Sequence, residues 1–155
     1  MSVQDATPER CFPRLSAAYI DGRAHAARFR QQQFHRLHSV LVFNKSRLVE
    51  ALQADNDYTE LEAVFEFSLG LSELRSMYES VDLEAELAAS RAVQSGQDGL
   101  QRKIGLGIVY IRPEKAKSSL YSILSPLCAA LAAGNCVIVE VCMPCKKREE
   151  WFQDR

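Results

Sequence analysis

The spacing of hydrophobic residues changes along the chain from a helical period to the short apolar runs of buried strands. Over residues 14–94, apolar positions recur every three or four residues, which predicts a series of helices that each bury one face. The longest is predicted over 59–80, where Thr59 and Glu62 have the spacing of a capping box. The apolar positions of this helix are Leu61, Val64, Phe65, Leu71, Leu74, Met77 and Tyr78.

Shorter helices are predicted on either side of this long helix. Two precede it over 14–20 and 25–43, and a third carries Leu48, Val49 and Leu52. Asn44 is the predicted N-cap of that third helix, because its side-chain oxygen can accept a backbone N–H of the first turn. A last helical piece is predicted over 83–93.

Beyond residue 94 the pattern predicts one βαβ unit. Residues 95–99 form a linker, and 105–111 form a short apolar run that is typical of a buried strand. Residues 118–133 predict a helix, and 136–141 predict a second strand parallel to the first. The crossover between parallel strands is expected to be right-handed. The predicted fold class is therefore α/β.

These periods divide the chain into four parts. Residues 1–13, with Pro8 and Pro13, predict a flexible lead-in, and 14–94 an N-terminal helical region. The incomplete βαβ unit spans 95–141, and 142–155 form a divergent charged tail. Two strands with one crossover leave a parallel sheet without its usual neighbours, so the isolated chain is expected to expose apolar surface.

Composition narrows the function classes. The 155 residues are 47% hydrophobic with a net charge of −1, so we expect no nucleic-acid partner. The first ten residues lack the pattern of a signal peptide, which predicts a cytoplasmic location. Residues 118–139 carry no charge, but Gly134-Asn135 is typical of a helix end, and no membrane span is expected.

The cysteines and histidines offer no clear metal site. The five cysteines form an odd set, which favours reduced thiols. Cys142 and Cys145 form a single CxxC motif, whereas a structural zinc site needs four ligands. We therefore interpret these two cysteines as reduced surface thiols in preference to a metal site or a redox pair. His35 and His38 share a helix face and are expected to face solvent. Cys128 and Cys136 lie in apolar runs of the sequence and are predicted to be core residues.

The segment from Pro126 to Asn135 resembles the P-L-x-A-A-L-A-A-G-N segment of the aldehyde dehydrogenases. Residues 48–55 are similar to that family's I-x-x-A-L-x-x-D helix ending, and 107–111 to its first nucleotide-binding strand. The nearest branch is the one with the class 3 and fatty-aldehyde enzymes. The resemblance implies N-terminal helices followed by the first βαβ unit of a Rossmann-type domain, which is incomplete here.

The resemblance also implies a reaction, the NAD(P)-dependent oxidation of an aldehyde to a carboxylic acid. In that chemistry a cysteine thiolate attacks the carbonyl, an asparagine side chain and a backbone N–H hold the oxyanion, and a glutamate-assisted water releases the acid. The family's cysteine and glutamate lie beyond the last residue of this chain. No catalytic residue is therefore assigned, and the aldehyde substrate is implied by the family alone.

Two family elements are replaced. Residues 112–119 stand where the family has a W-N-[YF]-P turn after the first strand, and they contain neither Trp nor Asn. Lys115 and Lys117 in this segment are interpreted as charged side chains that face solvent. The family's K-P-S/A-E segment becomes 140–143, which places Glu140 where a lysine contacts the cofactor's adenosine ribose. A carboxylate can accept from a ribose hydroxyl but repels a 2′-phosphate, so the implied cofactor is NAD, through Glu140.

Two functions follow as hypotheses. The first is an aldehyde dehydrogenase-like protein, truncated before the catalytic domain and inactive by itself, because the family pattern stops near Val141. The alternative is a non-catalytic interaction module that binds a full-length relative or a pathway enzyme, with homo- or hetero-oligomers formed through the N-terminal region. A third interpretation keeps activity on aliphatic aldehydes and requires an unassigned nucleophile.

Overall fold

A computed structural model describes residues 8–97, 104–113 and 119–140. Six helices, a short 3₁₀ turn and two strands follow one another in the described residues. They are α1 (Pro8–Ile20), the 3₁₀ turn (Arg23–His25), α2 (Ala27–Phe43), α3 (Lys45–Asn56), α4 (Glu60–Glu79), α5 (Leu83–Gln94), β1 (Ile108–Ile111), α6 (Ser119–Ala132) and β2 (Cys136–Val139).

The start of the long helix α4 is the predicted capping box. Thr59 Oγ1 accepts from the Glu62 N–H at 3.4 Å, and a Glu62 carboxylate oxygen accepts from the Thr59 N–H at 2.9 Å. The helix α5 is capped in a related way by Asp82, whose Oδ1 accepts from the N–H groups of Glu84 and Ala85. Both helix starts are therefore fixed by residues adjacent in sequence.

Two local predictions differ from the structure. The helix α1 begins at Pro8 rather than at Arg14, so residues 8–13 are helical and not a loose lead-in. Pro8 stands at the first helical position, where its missing N–H costs nothing, and Pro13 costs one hydrogen bond within the helix. Asn44 does not cap α3 with its side chain; its Nδ2 donates to the Val40 carbonyl at 2.8 Å and so completes the end of α2.

The helical region and the crossover helix α6 share one hydrophobic core. Helices α4 and α6 pack closely at Gly70, where a Cβ would lie 2.7 Å from Leu124 Cδ1. Ala63 on α4 and Cys128 on α6 are completely buried. The buried members of the core are Ala27, Phe34, Leu41, Val49, Leu52, Ala63, Phe67, Leu74, Val81, Leu124 and Cys128. Leu124 and Cys128 of α6 thus belong to the same core as the N-terminal helices.

The outer side of α4 departs from the predicted apolar face. Leu61 and Phe65 belong to the predicted face, yet their exposed fractions are 80% and 68%. The buried side of α4 instead passes through Ala63, Glu66 and Phe67. Leu74 of the predicted face is in the core, and Val64, Leu71, Met77 and Tyr78 pack against it. The prediction is therefore wrong for Leu61 and Phe65 alone among the seven residues.

The two strands pair in parallel, as the sequence predicts. Ile108 is opposite Cys136 and Ile111 is opposite Val139, and α6 connects the strands. Each strand is shorter than predicted, since β1 begins at Ile108 and β2 ends at Val139. The part of the chain that the structure describes is thus mostly helical with a small parallel sheet, consistent with a partial α/β domain.

Several sequence predictions lie outside the described residues. These are the end of the linker over 98–99, Lys115 and Lys117, Val141, the Cys142–Cys145 pair and the tail over 142–155. Among the helices that the structure describes, none is both long enough and apolar enough to cross a membrane.

Candidate functional site

The Gly-Asn turn joins α6 to β2 at the amino end of the sheet. Gly134 has a φ of +82°, a conformation that favours glycine. Asn135 is buried, and its Oδ1 accepts from the Gly107 N–H at 3.1 Å while its Nδ2 donates to the Ala130 carbonyl at 3.3 Å. The Asn135 side chain therefore connects the start of β1 to the end of α6.

Gly105 lies directly against this turn. A Cβ at residue 105 would stand 2.4 Å from the Gly134 carbonyl oxygen, so only glycine fits. The Tyr19 hydroxyl of α1 donates to the Gly105 carbonyl at 3.0 Å. The approach of the chain to β1 is thus held from two sides, by the Gly-Asn turn and by the first helix.

Arg30 holds the same turn from the helical region. Its side chain is buried, and its guanidinium donates to the carbonyl of Ala132, the last residue of α6, and to the His25 carbonyl at 3.2 Å. Glu86 on α5 forms an ion pair with it. A cation at the carboxyl end of a helix is favoured by the helix dipole. Arg30 lies on the same face of α2 as Ala27, Phe34 and Leu41. A charged residue on an apolar helix face was the sign in the sequence that Arg30 is buried with partners.

The amino end of α6 is held by a second buried charge. Glu66 on α4 is buried, and its Oε1 accepts from the N–H groups of Leu120 and Tyr121 at 2.9 and 3.1 Å. A carboxylate at this position satisfies first-turn donors and complements the helix dipole. Both ends of the crossover helix are therefore fixed by charges from the N-terminal helical region.

The opposite, carboxyl edge of the sheet carries the predicted cofactor residue. Glu140 directly follows β2, and its N–H donates to the Ile111 carbonyl at 2.9 Å. In open parallel sheets ligands bind outside the carboxyl ends of the strands, so the side chain stands at the edge that the cofactor prediction requires. Contact of Glu140 with a ribose stays a prediction.

Two residues near the end of β1 already engage this carboxylate. The Tyr110 hydroxyl donates to Glu140, and Arg112 Nε lies 3.7 Å from Glu140 Oε2. The side chains of Arg112 and Glu140 are 75% and 41% exposed, so solvent screens the ion pair. Alternation along a strand puts residues 110 and 112 on one face, a signal that was present in the sequence but not used.

The buried cysteines do not suit a nucleophile. Cys128 is completely buried, and this burial, together with the negative charge of Glu73, raises the pKa of its thiol to about 11. Burial also raises the pKa of the Cys136 thiol. The reactive species of cysteine is the thiolate, and a raised pKa makes it scarce at neutral pH. Both residues lie in apolar surroundings, as the sequence predicts.

The histidine pair on α2 is exposed, and His35 packs its ring edge-on against Tyr78 with centroids 5.1 Å apart. No cluster of three or more His, Cys, Asp and Glu side chains with metal-site geometry occurs within 8–97, 104–113 and 119–140.

Raised thiol pKa values predict a pH-dependent stability. The neutral thiol of Cys128 is favoured in the folded state, so its contribution is complete below the ordinary thiol pKa and is lost as pH rises towards about 11. We expect the free energy of unfolding of the wild type to fall over that pH interval, and that of Cys128→Ala to fall less. Urea unfolding at a series of pH values measures this. Rapid alkylation of Cys128 by iodoacetamide at pH 8 in the folded protein would contradict it.

Comparison with known proteins supports the resemblance to the aldehyde dehydrogenases. Aldehyde dehydrogenase family 3 member B1 of Bos taurus is 33% identical over 131 residues, which cover 82% of this chain. The protein of the same name from Mus musculus is 33% identical over 135 residues, which cover 81%. The chain is related to the aldehyde dehydrogenases. It spans 28% and 27% of the lengths of these two relatives.

This aldehyde dehydrogenase-like chain matches no protein-family model and no solved structure. The relationship therefore rests on the two curated relatives.

Proposed function

We propose that this aldehyde dehydrogenase-like chain belongs to the class 3 branch and forms the helical support and first βαβ unit of a Rossmann-type cofactor domain. The observation that carries the proposal is the parallel pairing of β1 with β2 across α6. The Gly134–Asn135 turn stands at the amino end of this unit and Glu140 at its carboxyl end. The two relatives named above support the branch.

The reaction proposed for the complete protein is oxidation of an aldehyde to a carboxylic acid, for which NAD accepts the hydride when bound. Glu140 would accept a hydrogen bond from the adenosine ribose, which fits a half-exposed carboxylate at the ligand edge. In that event the ribose hydroxyl takes the place of the Tyr110 hydroxyl as a donor to Glu140, and Arg112 stays beside the carboxylate.

We further propose that these 155 residues do not oxidise aldehydes without additional chain. The physical reason lies in the two cysteines of the βαβ unit, because burial keeps Cys128 and Cys136 protonated. The thiolate that attacks an aldehyde is therefore scarce at both positions at neutral pH. Catalysis then depends on residues that the chain would meet in a longer protein.

The test combines turnover and binding. The purified chain, incubated with NAD and hexanal, is expected to produce no NADH above the blank, measured by its ultraviolet absorbance. Saturation-transfer NMR is expected to show weak NAD binding that Glu140→Gln reduces, while the control Glu84→Gln, an exposed residue of α5, leaves it unchanged. If the chain forms NADH and a cysteine substitution abolishes this activity, the proposed inactivity is refuted. If Glu140→Gln and wild type give equal saturation-transfer signals for NAD, the proposed ribose contact is refuted.

Exposed apolar residues around the sheet favour the second function, a binding module. Leu106 is 96% exposed just before β1, and Tyr110 within β1 is 57% exposed. Parallel sheets are normally covered on both faces, so this surface suits a partner such as a full-length relative or another enzyme of the same pathway. Co-purification of the chain with a tagged full-length family 3 relative separates this function from the first, and loss of capture in Leu106→Lys would locate the contact at the sheet.

A further inference from the structure

An apolar groove runs along the amino-terminal half of α4, on the side that faces solvent. Its volume is about 460 Å³. The lining residues, which we call the α4 groove, are Tyr58, Leu61, Glu62, Phe65, Glu66 and Leu69. Leu61, Phe65 and Leu69 follow at four-residue intervals and are 80%, 68% and 41% exposed. Exposed apolar side chains gathered in a groove are typical of a surface that another segment covers.

The charge around the groove is negative. Its own two carboxylates are already held by N–H groups, Glu62 in the capping box and Glu66 at the start of α6. Three exposed neighbours at the corner between α3 and α4 supply the charge that a ligand would meet; they are Asp55, Asp57 and Glu60. From Leu48 to Leu74 the sequence has no Lys, Arg or His to offset them. The groove therefore suits a segment that combines apolar side chains with positive charge.

The sequence beyond Glu140 contains such a segment. Lys146, Lys147 and Arg148 are consecutive cations, and two glutamates separate them from Trp151 and Phe152. We call residues 146–152 the basic–aromatic segment. Large aromatic side chains are frequent anchors of a contact, because they bury much apolar area and have few rotatable bonds. The segment thus has the two properties that the groove requires.

The chain leaves the sheet at the same end of the βαβ unit at which the groove meets α6. The Glu140 N–H donates to the Ile111 carbonyl at the carboxyl edge of the sheet. The crossover helix α6 begins at this edge, because it follows β1 and returns along the sheet to β2. Glu66 of the groove accepts from the Leu120 and Tyr121 N–H groups in the first turn of that helix.

The chain is long enough to reach the groove from this edge. Trp151 stands eleven positions after Glu140. A chain of that length spans at most about 35 Å when extended. The path from β2 crosses α6 and α4, which pack directly on each other at Gly70 and Leu124. Packed helices lie about 10 Å apart, so two such layers leave reach to spare.

We propose that the basic–aromatic segment docks in the α4 groove of its own chain. Trp151 and Phe152 cover the exposed apolar side chains of the groove, and the three cations lie along the acidic corner. Attachment to the same chain gives the segment an effective concentration of about 1 mM, so a contact that is too weak between separate molecules is occupied within one. The proposal goes beyond the proposed reaction and involves neither Glu140 as a ligand nor the exposed residues of the sheet.

Fluorescence of Trp151 tests the proposal, because it is the only tryptophan of the chain. Quenching by acrylamide measures how much of the indole is covered. The groove variant is Phe65→Ser with Leu69→Ser. The matched control, Leu87→Ser with Val93→Ser, removes exposed apolar residues from α5. Because all four substituted residues are exposed, urea unfolding is expected to show that both variants fold as the wild type does.

In the wild type and the control, we expect a quenching constant well below that of N-acetyltryptophanamide, at every protein concentration. In the groove variant we expect the constant to rise to that of the urea-unfolded chain, with emission at longer wavelength. A wild-type indole as exposed as the free amide, or one that stays protected in the groove variant, would overturn the proposal. Protection that disappears on dilution would also overturn it, since the occupant would then come from another molecule.

The charge contribution has its own test. Asp57→Asn with Glu60→Gln removes two exposed carboxylates beside the groove, and asparagine tolerates the φ of +54° at residue 57. We expect acrylamide to quench Trp151 more strongly in this variant than in the wild type, and less strongly than in the groove variant. The control Glu84→Gln removes an exposed carboxylate of α5 and is expected to leave quenching unchanged. Equal quenching in the charge variant and the control would contradict the proposed contact of the cations.

Discussion

Gly105→Ala is expected to lower the free energy of unfolding by about 3 kcal/mol, as overpacking against rigid atoms does. The added Cβ would lie 2.4 Å from the Gly134 carbonyl oxygen and 3.1 Å from the Asn135 nitrogen, all backbone of the Gly-Asn turn. Backbone atoms cannot swing aside as a side-chain end does. The substitution therefore forces the chain before β1 away from the turn that begins β2.

Urea unfolding of Gly105→Ala against wild type measures this loss. Gly70→Ala is the matched control, because its added Cβ meets the end of the Leu124 side chain, whose methyl groups can shift, and alanine is the better helix former. We expect the control to lower the unfolding free energy by clearly less than Gly105→Ala does. Equal effects of the two substitutions would show that the Gly105–Gly134 contact does not limit the fold.

Arg30→Met is expected to destabilise the fold by about 3 kcal/mol, because it removes a buried charged donor from two backbone carbonyls and a partly exposed carboxylate. The methionine fills much of the space but leaves the Ala132 and His25 carbonyls and the Glu86 carboxylate without their donor. All three acceptors are oriented towards one guanidinium. Loss of the donor frees the end of α6 from both α2 and α5.

A double-mutant cycle with Glu86→Gln separates the ion pair from the carbonyl contacts. We expect Arg30→Met to remain costly in the Glu86→Gln background, because the Ala132 and His25 carbonyls still lose their donor. Arg28→Met removes an exposed arginine from the same helix and is expected to change stability by less than about 0.5 kcal/mol. A loss below about 1 kcal/mol in Arg30→Met would contradict the assigned role.

Elements whose causes are adjacent in sequence were predictable. Four-residue spacing located α4, and the Thr59–Glu62 pair located its first turn. A change of period after residue 94 separated strands from helices, and the helix between two apolar runs indicated parallel pairing. Glu140 was singled out by the family resemblance alone, and the structure has it directly after β2, at the carboxyl edge of the sheet.

Features that depend on distant residues could not be located in the same way. Arg30 meets Ala132 across 102 positions, and Glu66 meets Leu120 across 54, so no local spacing connects either pair. The sequence offered only a charged residue among apolar ones on a helix face. Leu61 and Phe65 show the reverse case, since periodicity placed them in the core and packing against α6 left them exposed.

Parallel pairing of β1 with β2 connects the observed fold to the proposed cofactor edge, because only this pairing brings Arg112 beside Glu140. Interstrand nuclear Overhauser contacts in the isotopically labelled chain test it most directly. The predicted result is contact between Val109 and Val137 and between Ile111 and Val139, in the same direction along both strands. Contacts in the opposite order, such as Ile108 with Val139, or no interstrand contacts at all, would contradict the βαβ unit and the cofactor site proposed with it.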